Sequence, residues 1–197
     1  MVIGVISMID TSIFMSRRSI RRFQQKRVSL NLLKKCVDAA RLAPSAANLQ
    51  PLEFIIVTNK MVCGRVFEAL HWAAYLKPEW RPMISERPVA YIIILVKDKT
   101  SPWYLRDVSF AAGTIVHIAE TMGVGSCILC KIDKEIIREI LSIPQSLLVD
   151  SVIALGYKAE HPVIEEASSS VEYYRDSNGV LHVPKRKLED ILHINTY

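Results

Sequence analysis

The chain has 197 residues, half of them hydrophobic and 23% charged, which suits one domain with a sizeable core. Its net charge of +5 favours anionic ligands, without separating nucleotides, phosphates, nucleic acid and membrane surfaces. The mean hydropathy of +0.20 is slightly high for a small soluble monomer, so we expect a subunit interface. The four cysteines lack the spacing of a disulfide framework, and the apolar residues 1–15 are too short for a membrane span and make a poor signal peptide. We therefore expect a cytoplasmic protein with free thiols.

Hydrophobic periodicity predicts an α+β fold in which helices and strands are interspersed and helices predominate. Predicted helices cover a short helix or turn at 12–24, then 29–42 after a Ser29 N-cap, 61–74, 103–122, 133–141 after an Asp133 N-cap, and 188–194. Predicted strands cover 54–57, 89–96, 125–129 and 150–157. The pair Asn178-Gly179 predicts a hairpin between 173–176 and 180–183, because both residues tolerate positive φ.

Four arginines, Arg17, Arg18, Arg21 and Arg22, fall within six residues. Neighbouring like charges repel, and guanidinium groups match phosphate oxygens in pairs, so a multivalent anion would explain the cluster. A solvated basic turn explains it equally well. The later turn at 185–187 is also basic, and no Gly-rich dinucleotide turn or phosphate loop is present.

Other polar and aromatic residues carry weaker signals. The C-x-x-C at Cys127 and Cys130 lacks the further ligands that zinc needs, and the two side chains should face opposite sides of a strand, so we predict structural thiols and no metal. His117 is expected in a core or interface. The segment 71–82 is interpreted as a lid excursion in which Trp72, Tyr75 and Trp80 contact substrate. Alternatively, these aromatic side chains only pack a helical excursion.

Several motifs, in order along the chain, resemble the nitroreductase family of FMN-dependent oxidoreductases. They are Ser16 to Arg21, the loop Ala43 to Pro51, the Gly-x-Gly-x-Cys segment at 123–127, the Leu155-Gly156-Tyr157 strand end and the basic segment 184–191. The resemblance implies one FMN-binding domain over 1–197. It also implies a three-layer sandwich, with helices flanking a mixed, mostly antiparallel sheet of about four to five strands.

The resemblance further implies an intertwined homodimer with two FMN sites at its interface. On the cofactor it places Arg17, Arg18, Ser19 and Arg21, joined by Lys185 and Arg186, and the backbone of Ile128, Leu129 and Cys130. From the other subunit it brings Pro44, Ser45, Ala46, Asn48 and Gln50. Within the cluster we assign Arg17 and Ser19 to the phosphate or ribityl chain and Arg21 to the pyrimidine end, and expect Arg22 to be solvated.

By the same resemblance, hydride passes from NADH or NADPH through FMN to a small acceptor of nitroaromatic, quinone or enone type. No catalytic side chain is assigned, because the flavin carries the chemistry. Two alternatives remain open: an FMN-binding sensor or carrier without turnover, and other reductive chemistry on the same scaffold, such as dehalogenation. Nucleic acid is not expected as a partner, since the aromatic residues do not interleave with the basic ones, and neither is a membrane.

Overall fold

A computed structural model describes residues 11–76, 80–97 and 101–197. Its helices are α1 Ser12–Ser16, α2 Leu30–Ala40, α3 Lys60–Glu68, α4 Tyr104–Thr121 and α5 Lys134–Leu141. Its strands are β1 Leu52–Val57, β2 Ala90–Val96, β3 Val124–Leu129, β4 Leu148–Tyr157, β5 Val163–Glu166, β6 Tyr174–Arg175 and β7 Leu181–Lys185. Residues 1–10 and 77–79, which include parts of the predicted apolar N-terminus and lid, lie outside the described residues.

The central sheet has four strands in the order β1-β2-β4-β3, and every neighbouring pair is antiparallel. A second, three-stranded sheet has the order β5-β7-β6; its β6–β7 pair forms the predicted hairpin, while β5 pairs with β7 in parallel. Every residue of β2 is buried, as the sequence predicted. None of the described helices is long and apolar enough to cross a bilayer.

Side-chain alternation along β2 divides the core into two halves. Ile92 and Ile94 pack with α2 and α4, whereas Tyr91, Ile93 and Leu95 face α3, α5 and the segment around Phe23. Helices therefore cover both faces of the central sheet, which confirms the expected three layers. The N-caps Ser29 and Asp133 each accept a backbone N–H, as predicted.

Three predicted helices are wrong in extent or existence. The helix expected at 12–24 ends at Ser16, and the one expected at 61–74 ends at Glu68. Residues 188–194 form a single turn, closed by the Ile191 N–H on the Leu188 carbonyl, rather than a helix. Leu188, Ile191 and Ile194 are all more than half exposed, so the described chain buries little apolar surface that could stabilise a short helix, which is marginal in water alone. Strand β5 was missed because it is short and largely exposed.

Two glycines paired across β3 and β4, Gly125 and Gly156, make room for the chain that crosses them. A Cβ on Gly125 would lie 2.8 Å from Ile20 Cγ1, and one on Gly156 would lie 2.9 Å from Phe23 Cδ1. Ile20 and Phe23 are fully buried there. Side chains at both glycines would exclude the segment that carries the arginine cluster.

Gly156→Ala should destabilise the protein by about 1–3 kcal/mol, because the added methyl overlaps the buried Phe23 ring. The matched control is Gly64→Ala in α3, where the new Cβ meets nothing within 4 Å. That change should stabilise by roughly 0.5–1 kcal/mol, because alanine favours helix. Urea unfolding measures both, and equal stability of the two variants would contradict the proposed packing.

Candidate functional site

The arginine segment, residues 17–22, lies along the free edge of β3 and against the end of β4. The Ile20 N–H donates to the Ser126 carbonyl at 2.9 Å, and the Gln24 N–H donates to the Tyr157 carbonyl at 2.8 Å. Ile20 and Phe23 anchor the segment in the core on the α3 and α5 side of the sheet. The arginine side chains are half-buried on this anchored backbone rather than carried on a solvated turn.

One buried carboxylate, Glu160, fixes the conformation of this segment. Its Oε1 accepts the backbone N–H groups of Arg21 and Arg22, the latter at 3.1 Å. Its Oε2 accepts from the Arg175 guanidinium at 2.6 Å, and Arg175 also donates to the Gly179 carbonyl at 2.8 Å. Glu160 therefore ties the arginine segment to the β6–β7 hairpin.

The four arginines divide by their partners. Arg22 forms an ion pair with Glu86 at 3.4 Å and lies over the Trp80 ring, so the expectation that Arg22 is solvated is wrong. Arg21 stacks on Tyr173, with its guanidinium carbon 4.4 Å from the ring centroid. Among the described residues, no acid forms an ion pair with Arg17, Arg18 or Arg21.

The region around Arg17 and Arg18 consequently carries uncompensated positive charge. Burial, and next the charge of Arg17, lower the pKa of Arg18. Arg18 Nε is buried and has no partner in the described chain, while its Nη1 donates to the Arg17 carbonyl. An anion bound beside these side chains would relieve both the repulsion and the unpaired donor.

The end of β3 lies next to this charge. Burial raises the pKa of the Cys127 thiol, and the nearby Arg21 and Arg17 oppose that shift. Cys127 is buried and Cys130 is exposed, and all four cysteines are free thiols, as predicted. Leu129 is buried with Cys127 in the half of the core that contains Ile20, whereas Ile128 is 40% exposed. No described group of residues could hold a metal ion.

The loop from Pro44 to Gln50 has a strained backbone. Ala47, Asn48 and Gln50 all have positive φ, at 49°, 54° and 48°, although none is glycine. A left-handed conformation costs an ordinary residue roughly 1–2 kcal/mol, less for asparagine. The loop is held by the Ala46 N–H on Asp107 Oδ1 at 2.9 Å and by the Gln50 N–H on Ser45 Oγ at 3.1 Å.

Among the described residues, no hydrogen bond or ion pair joins this loop to the side chains of the arginine segment within one chain. Asp107, which holds the loop, belongs to α4 on the α2 and α4 face, whereas Ile20 belongs to the other half of the core. Arg17 follows α1 directly, and Phe14 of α1 contacts His117 of α4, so the chain passes around the edge of the sheet between Phe14 and Ile20.

The remaining predicted site residues have varied surroundings. Arg186 donates to the Asp190 carbonyl at 2.8 Å, and Lys185, directly before it, is the last residue of β7; neither pairs with the arginine segment in the described structure. Trp72 is buried against Phe67, which favours packing over substrate contact. Tyr75 is half-exposed and edge-on to Tyr173, at 5.1 Å, and Trp80 lies under Arg22 and Arg175.

Sequence reasoning missed four residues that shape this region: Glu160, Asp107, Arg175 and Tyr173. Each is an isolated polar or aromatic residue with no motif of its own. Glu160 follows the Leu-Gly-Tyr strand end by three residues, which is its only positional signal. Their importance comes from contacts between distant parts of the chain.

An apolar groove of about 380 Å³ runs along the outer side of α4. The Phe14 and His117 rings contact each other in a tilted arrangement with centroids 4.9 Å apart, and His117 Nδ1 lies 2.7 Å from the Gly113 carbonyl. Phe14 and Phe110 are each about half exposed. Gly113 lines the groove, and a Cβ there would contact nothing in this chain.

Glu160→Leu removes a buried carboxylate and should destabilise the protein by about 3–5 kcal/mol. Two backbone N–H groups and the Arg175 guanidinium then lose their acceptor. Glu160→Gln should cost less, since its carbonyl oxygen still accepts. The control is Glu68→Gln, an exposed pair with Arg81 and Arg87 that should cost under about 1 kcal/mol. Urea unfolding of the three variants tests this order; a Glu160→Leu protein as stable as Glu68→Gln would refute it.

Comparison with known proteins agrees with the motifs and the fold. Residues 14–157 match the Nitroreductase family. A Methanothermobacter thermautotrophicus protein that is provisionally named NADH dehydrogenase/NAD(P)H nitroreductase is 33% identical over 153 residues, covering 75% of this chain and 76% of its own. An iodotyrosine deiodinase of Thermotoga neapolitana is 25% identical over 158 residues, covering 72% and 84%.

Solved structures give the same result. An FMN-dependent nitroreductase from Clostridium difficile superimposes with a TM-score of 0.69 at 25% identity, covering 94% of this chain and 98% of its own. The family match covers well over half of the sequence, and it includes the arginine segment, the 44–50 loop and β3. The chain belongs to the nitroreductase family, and its fold is the nitroreductase fold.

Proposed function

We propose that this chain binds FMN and passes hydride from NADH or NADPH through the flavin to a small acceptor. The observation that carries the proposal is the group of half-buried arginines, Arg17, Arg18 and Arg21, that have no acidic partner beside the free edge of β3. A phosphate dianion supplies the missing charge, and guanidinium groups bind it through paired hydrogen bonds. The FMN-dependent relative of the same fold supports this choice of anion.

The residues fit FMN as follows. Arg17 and Arg18, with the hydroxyl of Ser19, would hold the phosphate and ribityl chain, where the unpaired Arg18 Nε needs an acceptor. Arg21, held by Glu160 through its backbone and by Tyr173 through its side chain, would stabilise negative charge at the pyrimidine end of the ring. Backbone groups near Ile128 and Cys130 would line the ring edge.

When bound, FMN supplies the redox chemistry, so the chain needs no nucleophile or acid–base pair of its own. The protein's residues neutralise charge, orient the ring and limit access of water. Tyr75 packs edge-on against Tyr173, on which Arg21 stacks, and Trp80 lies under Arg22; both would shield one side of the site. Trp72, buried in the core, would support them from below.

The proposed site takes its two parts from a homodimer, since no hydrogen bond or ion pair among the described residues joins the arginine side chains to the 44–50 loop within one chain. Several apolar surfaces support a second copy. The groove on α4 presents Phe14, Phe110 and a glycine without neighbours, which suits close helix approach. The C-terminal segment exposes Leu188, Ile191, Leu192 and Ile194, which would be covered by a partner.

Reductive dehalogenation is a second candidate, favoured by the similarity to iodotyrosine deiodinases. It uses the same FMN site and differs only in the acceptor. The sequence Ile128-Leu129-Cys130-Lys131 at the end of β3 differs from the aromatic or proline that the family often has there. The acceptor class is therefore a question for turnover assays with nitroaromatic, quinone and halogenated tyrosine substrates.

The purified protein should bind FMN, and anaerobic NADH or NADPH should bleach the flavin absorbance. Arg17→Gln with Arg18→Gln should weaken FMN binding by about 100-fold, which corresponds to losing roughly 3 kcal/mol of charge-assisted hydrogen bonding. Absorbance and fluorescence titration of the apoprotein measure both effects. A wild-type protein that refuses FMN would refute the proposal, whereas binding without bleaching would favour a sensor or carrier.

The matched control is Arg41→Gln, which removes an exposed arginine already paired with Asp38. It should leave FMN affinity unchanged. Equal losses in the control and the double variant would mean that only overall charge matters. Arg22→Glu is an unsuitable control, because the new carboxylate would face Glu86.

A further inference from the structure

We propose that Asp107 is a positioning residue that holds the 44–50 loop in the shape that receives the flavin. The inference rests on the proposed FMN-binding function. Asp107 lies in the first turn of α4 and is only 3% exposed. Its Oδ1 accepts the Ala46 N–H at 2.9 Å, which links α4 directly to the loop.

The loop needs such a holder because its backbone is unfavourable by itself. Ala47, Asn48 and Gln50 adopt positive φ, and alanine and glutamine disfavour that region. The internal hydrogen bond from the Gln50 N–H to Ser45 Oγ closes the loop on itself, but it does not fix the loop to the rest of the protein. The hydrogen bond from the Ala46 N–H to the Asp107 carboxylate fixes the loop to α4.

The surroundings of Asp107 indicate more than ordinary helix capping. No described cation pairs with it, since its neighbour Arg106 lies over the Trp103 ring at 4.6 Å. Its Oδ2 is buried without a partner, and the residue lines two cavities, of about 140 and 380 Å³, that Pro44 and Ser45 also line. The dipole of α4 offsets part of this burial. Burying a carboxylate that has one unpaired oxygen costs free energy of folding. The role of Asp107 in holding the loop explains why a carboxylate is present at this position.

Asp107→Leu tests this role, because leucine has a similar size and no acceptor. Its affinity for FMN should fall at least about tenfold, the effect of one hydrogen bond to a charged group. Asp107→Asn should bind FMN within about threefold of wild type, because its carbonyl oxygen still accepts the Ala46 N–H. Glu135→Leu, which removes the first-turn acid of α5, controls for the helix dipole and should leave FMN affinity unchanged, although it also removes the ion pair with Arg138.

The apoprotein gives an independent readout by hydrogen exchange. The Ala46 amide of the wild type should be protected before FMN is added, and this protection should persist in Asp107→Asn. The inference would be overturned if Asp107→Leu bound FMN as tightly as the wild type. It would also be overturned if the Ala46 amide of the wild-type apoprotein exchanged at the unprotected rate. Absence of FMN binding by the wild type itself would instead be the failure of the proposed function.

Discussion

The contacts of Glu160 are the constraint on which this structure most depends. A single buried carboxylate accepts two consecutive backbone N–H groups, at Arg21 and Arg22, and a guanidinium from a hairpin far along the chain. Because Arg175 satisfies the charge of Glu160, the arginines of the segment itself are not needed as its partners. The side chains of Arg17, Arg18 and Arg21 therefore keep their charge available for a ligand.

Two local costs are present in this structure, and they lie in different segments of the chain. In the arginine segment, like charges meet at Arg17 and Arg18 without an acid to balance them. The 44–50 loop has three non-glycine residues with positive φ. Costs of this kind persist where function needs them, and in the proposed account both are used by one cofactor bound between two chains. Glycines at 125 and 156 permit the first arrangement, and Asp107 supports the second.

Much of the fold could be predicted from the sequence, because local patterns determine it. The all-apolar β2, the Ser29 and Asp133 caps and the Asn178-Gly179 turn each act over a few residues. The failures share a different cause. Residues 188–194 have helical spacing, but their apolar side chains stay largely exposed in the described chain. The 12–24 segment instead forms extended pairing with Ser126 and Tyr157. Tertiary contacts override local preference in such segments.

The same distinction applies to the candidate site. Arginine density and the Gly-x-Gly-x-Cys spacing are visible in the sequence, so the anion-binding segment and its neighbour β3 could be found. Glu160, Arg175 and Asp107 could not, since their roles come from partners between 15 and 139 positions away. Arg22 was misjudged for this reason, because its partner Glu86 lies 64 residues further along the chain.

In the proposed homodimer, each flavin site takes its arginine segment from one protomer and its 44–50 loop from the other. A mixed dimer tests it most directly, with one chain carrying Arg17→Gln and Arg18→Gln and the other carrying Ala46→Trp, isolated through two different affinity tags. Each variant alone should bind almost no FMN. In the proposed arrangement the mixed dimer combines both defects in one site and leaves the other intact, so it should bind one FMN tightly per dimer. A mixed dimer that binds no FMN would contradict this arrangement. Each protomer would then form a whole site from its own residues, and each of the two sites would carry one of the defects.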